Sequence, residues 1–259
     1  MNYLQEMFGL QDKVAVVIGG GGVLAGAMAD GLARAGAHIA ILDLHEENAQ
    51  KKAAELAALG VKTLAVPVNA ASKSDLLRGN EAVIEVFGRV DVLINAPGIN
   101  SSTPFFDISE EEWGRILDVN LKSMFLACQI FGQQMIAQGE GGSIINVSSV
   151  SSGPPLSRVF TYSISKAGVN NLTQFLAREW AAQRIRVNAL APGFFPAEQN
   201  RKILTPERVA SIMAHTPMGR FGEAEELAGA VIWLASAKAA SFVTGAIIRV
   251  DGGFTAMTI

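Results

Sequence analysis

Tyr162 and Lys166 are the two residues whose types and spacing most specifically indicate chemistry. Side chains four positions apart lie on one face of a helix, so a helix here would direct both into the same cleft. A nearby ammonium stabilises phenolate and lowers the pKa of tyrosine from its ordinary value of about 10. Ser149 follows an apolar run upstream, and its hydroxyl can donate a hydrogen bond to a substrate oxygen. These residues predict proton transfer at an alcohol or carbonyl oxygen, with Tyr162 as acid and base.

A glycine run, residues 19–22, predicts a phosphate-binding turn between an apolar run and a helix beginning near Val23. Glycines let backbone N–H groups approach a pyrophosphate, and the helix N-terminus adds partial positive charge. The same glycines would also fit a flexible turn that binds no ligand, so the acidic residue further along the chain is needed to support phosphate binding. Asp43 stands 24 residues beyond Gly19, where a carboxylate accepts hydrogen bonds from a ribose and repels a 2′-phosphate. Turn and acid together predict NAD as the cofactor.

Short β-branched runs alternate with longer helical patterns, which is typical of βαβ units and a parallel sheet. Most predicted strands are continuously apolar, as expected when helices cover both faces. The predicted strands are 13–18, 38–43, 62–67, 91–95, 142–147, 185–190 and 246–250, and the predicted helices are 23–35, 46–59, 73–87, 111–138, 161–183 and 223–235. The sequence therefore predicts an α/β, Rossmann-like, doubly wound parallel sheet of seven strands, with residues 1–259 forming one domain.

The one long irregular stretch expected runs from about 192 to 220 and contains four prolines and a short helical pattern at 206–214. Long loops within compact α/β domains often act as lids. We therefore expect a substrate lid at about 194–217. Ligands of open parallel sheets bind beyond the carboxyl ends of the strands, where Asn95 and Ser149 also lie. That context favours a catalytic Tyr162 and Lys166 over a chance surface pair.

Composition excludes several classes of function. The chain has 259 residues, 49% of them hydrophobic, and a net charge of −3 with dispersed Lys and Arg, so a nucleic-acid partner is not expected. No apolar run is long enough to span a membrane, and the N-terminal segment does not resemble a signal peptide. The single cysteine, Cys128, lies in an apolar segment and fits a core position in a reducing compartment. We expect a cytoplasmic protein with no metal site.

The same residues resemble the short-chain dehydrogenase/reductase family over essentially the whole chain. The matching positions are the glycine turn at 19–22, Asp43, the segment 95–98, Asn120, Ser149, Tyr162, Lys166, the pair 192–193 and the terminal 251–253. The resemblance implies a catalytic tetrad of Asn120, Ser149, Tyr162 and Lys166, in which Lys166 also binds the nicotinamide ribose and Asn120 anchors a proton-relay water. Ser148 is the competing serine, but Ser149 has the family's usual separation of thirteen residues from Tyr162.

The resemblance also implies a set of cofactor-binding residues: Gly19, Gly21, Gly22, Val23, Leu24, Asp43, Leu44, Asn69, Ala70, Asn95, Ala96, Gly98, Tyr162, Lys166, Pro192, Gly193 and Phe195. Several positions depart from the family pattern. Ile18 replaces the threonine of the turn, Val23 and Ala25 fall where glycines are usual, Asn69 replaces an aspartate, and Ala197 a threonine.

Segments 193–201 and 253–259 resemble the sugar-acid branch of that family, such as fructuronate (mannonate) oxidoreductases and gluconate 5-dehydrogenases. A polyol carboxylate needs a cation and several hydrogen-bond partners. We predict that the substrate is contacted by Ser149, Tyr162, Asn100, Gln199, Asn200 and Arg201. The alternative is that Asn100, Gln199, Asn200 and Arg201 are solvent-exposed residues of a lid and bind no ligand.

Two rival functions stay open at this point. An oxidoreductase of a 3-oxoacyl chain or hydrophobic alcohol would use Phe160, Phe194, Phe195 and Met213 as pocket walls. A nucleotide-binding regulator without chemistry is disfavoured by the intact catalytic residues.

The predicted helices 111–138 and 161–183 are apolar on broad faces, and paired helices are usual in the family, so a homotetramer is expected.

Overall fold

The computed structural model describes residues 2–196 and 205–257, and the strands in these residues form one all-parallel sheet. The strand order is β3-β2-β1-β4-β5-β6-β7. The strands are β1 (Val14–Ile18), β2 (His38–Asp43), β3 (Thr63–Pro67), β4 (Val92–Asn95), β5 (Gly142–Val147), β6 (Ile185–Pro192) and β7 (Ile247–Val250). The prediction of a seven-stranded parallel sheet is confirmed.

Helices cover both faces of the sheet, also as predicted. Those in the described residues are α1 (Tyr3–Phe8), α2 (Val23–Arg34), α3 (Glu46–Ala57), α4 (Lys73–Phe87), α5 (Glu110–Leu117), α6 (Ser123–Gln138), α7 (Phe160–Trp180), α8 (Pro206–Ala214) and α9 (Ala228–Ala235). Side chains of α2, α3 and α9 pack in one core, and those of α4, α6 and α7 in the other. Along β1, Ala15 and Val17 enter the first core and Val16 and Ile18 the second, which explains why the strand is apolar throughout.

The predicted helix 111–138 is interrupted. A π-helical turn, Asp118–Lys122, separates α5 from α6, and Asn120 lies inside it. Such turns insert one extra residue and are frequent at functional sites. The surrounding segment is helical on both sides, so hydrophobic periodicity alone predicted one continuous helix.

Two further differences concern the irregular segments and the N-terminus. The prediction of a single long irregular stretch is wrong, because residues 96–109 and 148–159 also lack regular structure apart from short 3-10 turns. The short helix expected at 206–214 is present. α1 was not predicted; its first turn is held by a capping box between Asn2 and Gln5.

The strand order reverses between β1 and β4, and this reversal positions the functional site. Chain connections leave β1 and β4 toward opposite sides, so a crevice opens beyond their carboxyl ends. The carboxyl ends of β5 and β6 continue the same edge. No helix among residues 2–196 and 205–257 is long and apolar enough to cross a membrane.

Candidate active site

A cleft of about 720 Å³ runs along the carboxyl ends of β1, β4, β5 and β6. The segment that follows each of these strands contributes to its wall, as the position of the strand reversal requires. Of the residues predicted from the sequence, Gly19, Gly22, Leu24, Ala96, Gly98, Asn100, Ser149, Tyr162, Lys166, Pro192 and Gly193 line it. The structure therefore brings the predicted catalytic serine, tyrosine and lysine together with part of the glycine turn.

Tyr162 and Lys166 lie in the first two turns of α7, on the face directed at the cleft. Lys166 Nζ is 5.6 Å from the centroid of the Tyr162 ring. It donates a hydrogen bond of 2.8 Å to the carbonyl oxygen of Val147, at the end of β5. Burial lowers the pKa of the Lys166 ammonium to about 7.

The pKa of the Tyr162 phenol is raised by burial, and the Ser149 side chain opposes that rise. The expectation that Lys166 depresses this pKa is not met in this geometry. The ammonium is directed at Val147 O instead of the phenol oxygen, and burial disfavours its charged form. The hydroxyl of Ser149 is the group that favours phenolate here.

Ser149 begins a short 3-10 turn that fixes its hydroxyl. Its Oγ accepts hydrogen bonds from the N–H and the Oγ–H of Ser151, both at 3.2 Å. A hydroxyl oxygen has two lone pairs and one proton, so these contacts leave Ser149 as a hydrogen-bond donor toward the cleft. Ser148 is turned away from this role, because its hydroxyl donates to Lys166 O at 3.3 Å.

Asn120 fastens the loop after β4 to the helices. Its Oδ1 accepts from Ile99 N at 2.8 Å, and its Nδ2 donates to Ile99 O at 2.9 Å and to Ser165 Oγ at 3.1 Å. A Cβ atom added at Gly98 would lie 3.6 Å from Lys166 Nζ and 3.8 Å from Asn120 Oδ1. Gly98 therefore lies close to both the lysine ammonium and the Asn120 amide, although the Asn120 side chain does not line the cleft.

The glycine turn fits the phosphates of a dinucleotide. Gly19 has a φ of 75°, and a Cβ there would lie 3.2 Å from the backbone of Ala96 and Pro97. Gly22 caps α2 without a side-chain hydrogen bond, so no side chain occupies the helix N-terminus. Gly26, one position after Ala25, faces α3, where a Cβ would lie 2.9 Å from Cε of the flexible Lys52 side chain.

Asp43 fits the ribose end of such a ligand and also braces the turn. Its carboxylate is buried and accepts from Gly21 N and His45 N, each at 3.0 Å. One bond to each oxygen leaves lone pairs that can accept from ribose hydroxyls. Leu44 follows at the end of β2, and Asn69 and Ala70 follow β3, with Asn69 Oδ1 accepting from Ala71 N.

Several predicted cofactor residues lie outside the cleft wall. Asn95 is fully buried, and its Nδ2 donates to Asn146 Oδ1 at 2.8 Å, inside the sheet. Phe195 lines a neighbouring cavity with Gly222, whereas Phe194 lines both cavities. Val23 is an exposed first residue of α2. Gln199, Asn200 and Arg201, together with Ala197, lie outside the described residues.

The cleft also contains two arginines that the sequence reasoning missed. Arg158 lies in the segment between Ser149 and Tyr162, and Arg208 lies on α8. The signal for Arg158 was its position four residues before Tyr162, but the segment was not recognised as part of the cleft wall. Among the described residues, no group of three His, Cys, Asp or Glu side chains is placed to hold a metal ion.

Comparison with known proteins identifies relatives along nearly the whole chain. A family model described as enoyl-(acyl carrier protein) reductase matches residues 22–255. The 2-dehydro-3-deoxy-D-gluconate 5-dehydrogenase of Escherichia coli is 35% identical over 250 residues, which cover 96% of this chain and 98% of the relative.

Solved structures agree with that similarity. A gluconate 5-dehydrogenase from Burkholderia cenocepacia, in complex with NADP and tartrate, is 33% identical with a TM-score of 0.93, covering 99% of this chain and 100% of that one. A candidate D-mannonate oxidoreductase from Haemophilus influenzae, with bound NAD, is 33% identical with a TM-score of 0.92, covering 99% of each chain.

Proposed function

Because the chain belongs to the short-chain dehydrogenase/reductase family, whose members act on CH–OH groups with a nicotinamide cofactor, we propose that it is an NAD-dependent oxidoreductase of sugar acids. The observation that carries the proposal is the single cleft in which Ser149, Tyr162 and Lys166 meet the glycine turn. In the proposed reaction a secondary alcohol of the sugar acid and the corresponding ketone interconvert.

The nicotinamide cofactor, when bound, accepts or supplies the hydride. Ser149 donates a hydrogen bond to the substrate oxygen and so fixes the reacting carbon beside the tyrosine. In the direction of reduction, the Tyr162 phenol gives its proton to that oxygen as negative charge develops there. In the direction of oxidation, the phenolate removes the proton from the alcohol. Lys166 lies beside the Tyr162 ring, and its ammonium contributes to binding the ribose.

The preference for NAD rests on Asp43. A buried carboxylate that already accepts two backbone hydrogen bonds would face the 2′-phosphate of NADP without a compensating cation on the glycine turn. Relatives with NAD and with NADP both exist, so the cofactor choice is specific to this chain. The kcat/KM values with NADH and NADPH test it: we expect a strong preference for NADH, and equal values would contradict the proposal.

The proposed substrate is a hexonate or the corresponding keto-acid, of the fructuronate/mannonate or gluconate/5-ketogluconate type. The names of the relatives support this class. The rival, a 3-oxoacyl or hydrophobic substrate, gains support only from the description of the family model. Of the four side chains expected as its apolar walls, only Phe194 is among the cleft-lining residues in the described part of the chain.

A panel of substrates separates the two. NAD-linked turnover is measured with hexonates, hexuronates and keto-acids on one side, and with 3-oxoacyl thioesters and long-chain secondary alcohols on the other. We expect turnover of at least one sugar acid and much lower kcat/KM with the apolar compounds. Preference for an apolar compound would favour the rival.

We further propose a homotetramer in the cytoplasm. Exposed apolar side chains on α6 and α7, among them Phe125, Ile164 and Phe175, support helix-paired subunits. The single cysteine is buried and free, which is consistent with a reducing compartment.

A further inference from the structure

The cleft wall carries an excess of positive charge. Its charged side chains in the described part of the chain are Arg158, Lys166 and Arg208, and no aspartate or glutamate there lines it. The whole chain, by contrast, has a net charge of −3. Since Lys166 is buried and bonded to Val147 O, the two arginines are the cations free to meet a substrate among the described cleft-lining residues.

Arg158 is held in an uncommon backbone conformation. Its φ is 69°, in the left-handed region, which is unfavourable for a non-glycine residue. Two other non-glycine residues of the described chain, Asp12 and Arg184, share this feature, but neither lines the cleft. Such conformations persist where the surroundings impose them, and they concentrate at ligand sites. The exposed Arg158 side chain has no ion-pair partner among the described residues.

Arg208 contacts the same segment from α8. It lies in the first turn of α8, and its Nη1 donates to Ser157 Oγ at 2.9 Å, next to Arg158 in the chain. This contact uses one of the five N–H groups of the guanidinium. Asn100 and Ser102 of the loop after β4 also line the cleft and offer hydrogen bonds to hydroxyl groups.

We propose that Arg158 and Arg208 form an anion-binding site that holds the carboxylate of the substrate while Ser149 and Tyr162 engage its reacting alcohol. This inference rests on the proposed sugar-acid function and names the residues that select the acid. Guanidinium groups bind carboxylates bidentately, with direction as well as charge. The site is built from the segment preceding α7 and from α8, so it differs from the sequence-based expectation centred on Arg201.

The test compares Arg158→Gln and Arg208→Gln with Arg115→Gln, which removes the same charge from α5 outside the cleft. Two substrates are used with each variant: the hexonate that the parent oxidises best and the hexitol that lacks its carboxylate. Equilibrium binding of the hexonate to the NADH-saturated enzyme gives the same comparison without turnover. NADH affinity and the unfolding temperature report on the cofactor site and on folding.

We expect each cleft variant to raise the KM and Kd of the hexonate about 10- to 100-fold, the range for a lost charge-assisted contact. Binding of NADH and handling of the hexitol should stay at parental values, and Arg115→Gln should change nothing. Arg158→Lys, which keeps the charge, should recover part of the affinity. Added salt should weaken hexonate binding in the parent more than in the variants.

Other outcomes separate the possibilities. If both variants bind and oxidise hexonates as the parent does, the anion site is overturned while the sugar-acid function stands. If the arginine variants lose NADH affinity instead, the pair binds a cofactor phosphate and the assignment is wrong. If the parent itself oxidises only neutral or apolar alcohols, the proposed sugar-acid function fails, whatever the arginines do.

Discussion

The hydroxyl of Ser149, which lines the cleft, accepts a hydrogen bond from the hydroxyl of Ser151 behind it. Ser151 is buried and uses both its N–H and its O–H to fill the acceptor sites of Ser149 Oγ. Ser149 then has its one proton available for the substrate oxygen or for the Tyr162 phenolate. Ser151 is therefore a positioning residue, because it acts on the reaction through Ser149.

Ser151→Ala should lower kcat about tenfold, the value of one hydrogen bond of about 1–1.5 kcal/mol. A freer Ser149 hydroxyl favours phenolate less, so the pKa seen in the pH profile of alcohol oxidation should rise. The matched control is Ser163→Ala, since the buried Ser163 hydroxyl has no hydrogen-bond partner among the described residues. An unchanged pH profile in Ser151→Ala, or an equal loss in the control, would refute the positioning role.

Lys166 gives a second prediction because burial lowers the pKa of its ammonium from 10.5 to about 7. Between these values the unfolded chain binds the proton and the folded chain does not, so falling pH destabilises the parent by up to about 1.4 kcal/mol per pH unit. Lys166→Met removes this term. Its free energy of unfolding relative to the parent should increase as pH falls from about 10 to 7, then level off.

Urea unfolding of the free protein across this pH range measures that difference. A difference that is constant with pH would mean that Lys166 titrates normally in the folded protein.

The identities of the catalytic residues could be predicted from the sequence, because Tyr162, Lys166 and Ser149 have a distinctive spacing. The direction of the Ser149 hydrogen bond was not, since it depends on the backbone of one short turn.

Among the structural elements, the glycine turn contains a position, Gly19, at which the geometry requires glycine for a reason that can be tested. Gly19 and Gly88 both have a φ of 75°, so alanine at either position meets the same left-handed penalty. Only at Gly19 does a Cβ press against backbone, 3.2 Å from Ala96 and Pro97, whereas nothing lies within 4 Å at Gly88. Comparing the alanine variants at these two positions therefore separates the effect of crowding at the cleft from the effect of backbone strain.

Gly19→Ala should therefore weaken NADH binding by on the order of tenfold, about 1.4 kcal/mol, while Gly88→Ala leaves it unchanged. Both variants should unfold at lower temperature than the parent. Fluorescence titration with NADH gives the affinities. Equal NADH affinity in the two variants would mean that the turn does not hold the cofactor.

The strands were predicted within one residue at each end, except that β6 continues to Pro192. Their apolar runs are bounded by polar or glycine residues, so composition marks the ends. The π turn around Asn120 could not be predicted from the sequence. A helix with one additional residue in a turn has the same kinds of residues as a regular helix, so nothing in the composition of the segment marks the turn. Residues 148–159, which carry Arg158, were not predicted as a cleft wall because their position depends on packing against α7 and α8.

For the whole molecule, exposed apolar surface bears on assembly. Phe175 on α7 is 57% exposed and Phe125 on α6 is 43% exposed, outside both cores. In the proposed homotetramer these faces are covered by partner subunits, and light scattering should give about four times the 27.3 kDa of one chain. Phe175→Glu should yield smaller assemblies, because it would bury an unpaired charge. A monomeric parent at micromolar concentration would contradict the assembly proposal.

Proton transfer by Tyr162 is tested most directly by measuring turnover of a hexonate with NAD, and NADH affinity, in the parent and in Tyr162→Phe. The substitution removes only the proton-transferring hydroxyl from the cleft. We expect measurable NAD-linked oxidation by the parent, loss of nearly all of it in Tyr162→Phe, and NADH binding within a few-fold of the parental affinity. Turnover in Tyr162→Phe within a few-fold of the parent would contradict it, because another group would then carry the proton.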